Sequence, residues 1–151
     1  MPLINLGNGK QVHIRDVSAE KDSGKTPFVF IHGLGSSQNF YGSLIPELSK
    51  ERRCVCLDTP GSARSPTPKG DQSIQSISDD IISLLDELKL DKVVLVGHSM
   101  GGIIVCNVAA EYADRVEKLI LIGPVHPTEK GHKTFADRIK LVKKGIHQSI
   151  D

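Results

Sequence analysis

The chain has 151 residues, enough for one domain with a buried core, and its 19 basic and 18 acidic residues leave a formal net charge of +1. That balance excludes a basic nucleic-acid stripe and an acidic solvating tail. Its apolar runs are of strand length and residues 1–7 carry no basic, signal-length apolar leader, so the expectation is no membrane span and a cytoplasmic setting.

Leu3 to Val17 reads as a two-stranded opening around the turn signal Gly7-Asn8-Gly9, with His13 on its surface. After a polar stretch, Pro27 to Ile31 is a buried strand that ends in His32-Gly33-Leu34-Gly35. Ser36 or Ser37 caps a helix expected to reach about Lys50, with Phe40, Leu44, Ile45 and Leu48 on one face. Pro46 kinks or divides it. Arg53 to Asp58 is the next strand, opening onto a loop rich in turn formers, Thr59 to Pro68. Cys54 and Cys56, two apart on that strand, face one side. They read as buried structural thiols rather than half of a metal site, because no second ligand pair accompanies them. With Cys106 they make three cysteines, an odd number that fits free thiols in a reducing compartment.

Ser73 to Leu88 is the clearest helix. Ile74, Ile77, Ile81, Leu84, Leu85 and Leu88 form one stripe, and Asp79, Asp80, Asp86 and Glu87 lie outside it. Val93 to Val96 is a strand buried on both faces, which runs into Gly97-His98-Ser99-Met100-Gly101-Gly102. An apolar helix follows, Ile103 to Tyr112. Strand, G-x-S-x-G and helix in that order describe a nucleophile elbow: a sharp turn lifts the Ser99 hydroxyl above the carboxyl end of the sheet, and the Met100 N–H at the helix start faces a developing oxyanion. Lys118 to Gly123 is one more strand. Strands alternate with helices from Phe28 onward, so the expected fold is α/β, a mostly parallel sheet with helices on both faces and an antiparallel N-terminal hairpin. Beyond Pro124, a loop leads to a helix expected over Thr134 to Gly145. Six basic residues between Lys130 and Lys144 read as a solvated face.

These features resemble the α/β-hydrolase family. The resemblance implies that His32-Gly33-Leu34-Gly35 is the oxyanion loop, with the Leu34 N–H as second donor, the His32 ring and Gly33 as supports, and His98 supporting the elbow. A phosphate loop is disfavoured, since the third glycine and a P-loop lysine are missing. Asp58 to Ser65 resembles the family's D-x-x-G-x-G-x-S segment, with Ala63 where the second glycine stands. In the family the chain order is Ser, then Asp or Glu, then His, and the acid and histidine follow strands beyond the cap. The chain stops at Asp151 without those strands, so the division expected is residues 1–124 as core and 125–151 as the start of a helical cap. His126, with Glu129 nearby, is the one histidine after Ser99 that starts near the sheet edge; it is either the base or a cap-loop residue. His132, His147 and Asp151 have less to offer.

The resemblance therefore implies a cofactor-free, metal-free serine hydrolase acting on a small ester or lactone through an acyl-enzyme on Ser99, similar to enol-lactonases and haloperoxidase-like enzymes. The alternative is a catalytically incomplete chain or a binding module. An uncovered sheet edge after Gly123 is expected to promote self-association.

Overall fold

The computed structural model describes residues 2–125 and 128–143. β1 (Leu3–Asn5) and β2 (Gln11–Val17) form the antiparallel hairpin, and β2 also runs antiparallel to β4 (Cys54–Leu57). β3 (Phe28–Ile31), β4, β5 (Val93–His98) and β6 (Val116–Ile122) are mutually parallel. The strand order is β1-β2-β4-β3-β5-β6, which places β4 and β3 at the centre and β5 between β3 and the edge strand β6. This is the α/β architecture expected from the alternation of strands and helices.

The period-2 alternation of side chains sorts the strands onto two cores. Val29, Ile31, Val55, Leu57, Val93 and Leu95 face one side, where α2 (Ile74–Glu87) adds Ile77, Ile81, Leu84 and Leu85 and α3 (Met100–Glu111) adds Ile104, Val105 and Val108. Phe30, Cys54, Cys56 and Val96 face the other, under Tyr41 and Ile45. α2 starts where Ser73 caps it: Ser73 Oγ accepts from the Ser76 N–H, and Ser76 Oγ accepts from the Ser73 N–H.

Several expectations are corrected. The helix expected after His32-Gly33-Leu34-Gly35 is two short pieces, a 3₁₀ turn at Gln38–Tyr41 capped by Ser37 and α1 (Ile45–Leu48), with Pro46 in the first turn of α1. The break changes the phase, so Tyr41 and Ile45 are buried while Phe40 and Leu44 are exposed. Asp80, outside the apolar stripe of α2, is buried all the same, because the β1–β2 turn reaches over α2: Lys10 Nζ pairs with its Oδ2 at 2.9 Å and Asn8 Nδ2 donates to Oδ1 at 2.6 Å. His13 is also inside, with a side chain only 12% exposed. α4 (Glu129–Lys143) starts a turn earlier than its sequence pattern indicated.

Candidate active site

β5 ends at the elbow. Ser99 has φ 54° and ψ −119°, a left-handed conformation that a non-glycine residue adopts only when its surroundings impose it. The imposing contacts are visible. The Ser99 N–H donates to Ile122 O at 3.2 Å, and Ser99 O accepts from the N–H of Gly102 at 2.9 Å and of Val125 at 3.4 Å. The turn closes because two positions lack a Cβ. At Gly97 an added methyl would strike Gly101 O and lie 2.6 Å from Val105 Cγ2; at Gly101 it would strike Ile31 O and lie 2.7 Å from His32 O. Ser99 itself is half-buried, at the N-terminus of the twelve-residue helix α3.

The loop after β3 lies directly against this turn. A Cβ on Gly33 would sit 3.0 Å from Ser99 Cβ. The His32 ring holds the loop from below. It is buried, its Nε2 accepts from the Thr59 N–H at 3.1 Å, and Nδ1 therefore carries the proton and donates to Gly33 O at 2.7 Å. Leu34 stands out from the loop with 55% of its surface exposed. Among the described residues, neither the Leu34 nor the Met100 amide donates to a protein acceptor. His98, flanking Ser99, stacks on Phe40 with ring centroids 4.0 Å apart and planes at 15°, and its Nδ1 is buried without a partner among the described residues. Phe40 continues through an edge-on contact to Tyr41, whose hydroxyl donates to Ile31 O at 2.8 Å.

Asp58 closes the other end of the loop, at the exit of β4. Its Oδ1 accepts from the Gln38 N–H at 2.8 Å, and its Oδ2 accepts from Gln38 Nε2 at 3.2 Å and from the Arg64 N–H at 3.4 Å. The segment Asp58–Ser65 keeps its tight course despite the missing second glycine. Ala63 takes φ 48° in that place, and Ser65 Oγ donates to Asp58 O while accepting from the His13 N–H. Between this segment and the loop after β3 lies a cavity of about 550 Å³, lined by Leu34, Gly35, Ser36, Ser37, Gly61, Ser62 and Ala63.

The structure thus brings Ser99, Met100, Leu34, Gly33, His32 and His98 together. His126, His147 and Asp151 lie outside the described residues, and His132 is exposed on α4. Among the described residues no side chain hydrogen-bonds Ser99 Oγ, none groups three or more metal-ligating side chains, and no helix is long and apolar enough to cross a membrane. Reading the sequence missed Gln38 and Asp58 as parts of the site. The D-x-x-G segment did carry a signal for Asp58, as a structural residue; nothing near Gln38 pointed to it.

Residues 26–144 match the alpha/beta hydrolase fold family. Over 125 residues, 80% of this chain, the sequence is 30% identical to 1-acylglycerol-3-phosphate O-acyltransferase ABHD5 of Rattus norvegicus, of which it covers 35%. It is 32% identical over 124 residues to 2-hydroxy-6-oxo-2,4-heptadienoate hydrolase of Pseudomonas putida, covering 80% of this chain and 43% of that protein. The enol-lactonase from Burkholderia xenovorans LB400 superposes with a TM-score of 0.76 at 27% identity, over 93% of this chain and 58% of that one. The chain thus spans less than half of these two curated relatives. With a matching family across residues 26–144, a serine at a strained strand–helix turn and a loop seated against it, the chain belongs to the alpha/beta hydrolase fold family.

Proposed function

We propose that Ser99 is the nucleophile of an acyl-transfer reaction on a small carboxylic ester or lactone. In this reading Ser99 Oγ bonds to the acyl carbon while a base takes its proton. The carbonyl oxygen becomes an oxyanion held by the Met100 and Leu34 N–H groups, and the alkoxide leaving group departs with a proton. Water then attacks the acyl-enzyme and releases the acid. No cofactor or metal is needed. The observation that carries the reading is the left-handed Ser99 between β5 and α3 with Gly33 against it. Substrate class follows from the hydrolases and lactonase to which the chain is similar, and residues 1–124 then act as core with 125–151 starting a cap.

A second reading, a binding or interaction module without turnover, is favoured by one observation: among the described residues no side chain that could take its proton hydrogen-bonds Ser99 Oγ. Incubating the purified chain with p-nitrophenyl acetate and with a fluorophosphonate probe, beside Ser99→Ala, separates the two. Labelling and burst release that vanish in the variant support the nucleophile; equal signals in both overturn it. His126→Ala tests the base in the same assay. Loss of turnover with Ser99 intact supports it, and unchanged turnover assigns His126 to the cap loop.

A further inference from the structure

We infer that His13 and Asp58 compete for the Gln38 side chain, and that a proton on His13 decides the competition and moves the start of the oxyanion loop. Gln38 is the first residue after Ser37, so whatever holds Gln38 holds one end of the Gly33–Ser37 loop. Its Nε2 lies 2.9 Å from His13 Nδ1 and 3.2 Å from Asp58 Oδ2. An amide nitrogen has two hydrogens and can serve both, provided His13 Nδ1 is an unprotonated acceptor and Asp58 is ionised. The opposite amide orientation would set oxygen against carboxylate. In the observed orientation Gln38 Oε1 is left buried without a partner among the described residues, an unused acceptor on the same pivot.

Protonating His13 makes its Nδ1 a donor, and two donors then face each other. Turning the amide over does not relieve this, because Oε1 would then face the Asp58 carboxylate. Instead the imidazolium closes the present 3.6 Å gap to Asp58 Oδ2 and takes the place of Gln38 Nε2 there. Gln38 then keeps its N–H to Oδ1 contact and loses the side-chain one. Asp58, 1% exposed, is the one charged group within ion-pair reach of His13 among the described residues. Arg15 lies two residues along the same strand and acts on Cys56 of β4, and Arg64 reaches Asp58 through its backbone amide. β1 sets only Leu3 opposite His13. His13 and Gln38 are therefore positioning residues for the loop. This holds whether or not the loop stabilises an oxyanion, and every readout below is independent of turnover.

The test is NMR on the 151-residue chain labelled with ¹⁵N and ¹³C. At neutral pH the His13 ring should carry its proton on Nε2. On acidification the His13 ring, the Gln38 side-chain amide and the Leu34 and Gly35 backbone amides should shift with one shared midpoint. His13→Phe should abolish the loop shifts, and Gln38→Leu should leave His13 titrating while Leu34 and Gly35 stay still. A proton on Nδ1 at neutral pH, loop amides that stay still through the His13 titration, or a loop midpoint that survives His13→Phe would each overturn the proposal. The titration of the unsubstituted chain decides the matter if the variants fail to fold.

Discussion

β5 and β6 are parallel neighbours, in register from Val94 to His98 after one shift between Val93 and Val94, and both are rich in aliphatics, yet their surroundings are opposite. β5 is buried from Val93 to Gly97, between β3 and β6 with α3 above it. β6 is the edge strand of the described sheet, and Leu119, Ile120 and Leu121 are 37–42% exposed. Similar hydrophobic runs predict strands equally well; only the neighbours decide which strand is core. Function follows the same division. The buried strand ends in the strained serine, and the exposed one supplies the carbonyl that fastens it.

The sharpest way to break the buried side is Gly101→Val. Its side chain must displace the backbone of Ile31 and His32, so a loss above about 4 kcal/mol is expected, read as the absence of a cooperative urea transition. Leu95 and Leu119 are a register pair of identical residues, one fully buried and one 37% exposed. Leu95→Ala should cost about 3 kcal/mol and Leu119→Ala under about 1, by denaturant midpoint; equal losses would mean that the edge is covered in solution. That bears on the expectation of self-association. If copies of this chain meet along β6, Ile120→Lys should lower the apparent mass by light scattering at unchanged helicity. A monodisperse monomer before the substitution would count against it.

The smallest expected effect is alkaline. Burial in the second core pushes the Cys54 thiol from 9.0 up to about 11 and the Cys56 thiol up to about 12, with the adjacent Cys54 adding to the latter. Above pH 9 the unfolded chain loses these protons while the folded chain keeps them. Stability is therefore fully present below pH 9 and falls as pH rises toward 11–12. A decline of a few degrees in Tm between pH 8.5 and 10 is expected, shallower in Cys56→Ala measured against its own value at pH 8.5.

Much of this was legible in advance, for stated reasons. The elbow is local: strand, turn and helix are consecutive from Val93 to Glu111, and the glycines announce the close approach. The loop His32–Gly35 follows a strand in the same way. What stayed hidden depends on residues far apart in the chain. Asp80 is buried by a lysine 70 positions away, and Asp58 meets Gln38 and His13 through the antiparallel register of β2 on β4. Phe40 and Leu44 were misplaced for a different reason: the helix is split into two short pieces, and the break turns Tyr41 inward beside Ile45, which was expected there.

The fastening of Ser99 has a mechanical side. Its peptide is gripped by Ile122 O on one flank and by the Val125 N–H on the other, both at the exit of β6, with Pro124 lying against Gly102 between them. The path of residues 122–125 therefore has leverage on the orientation of Ser99.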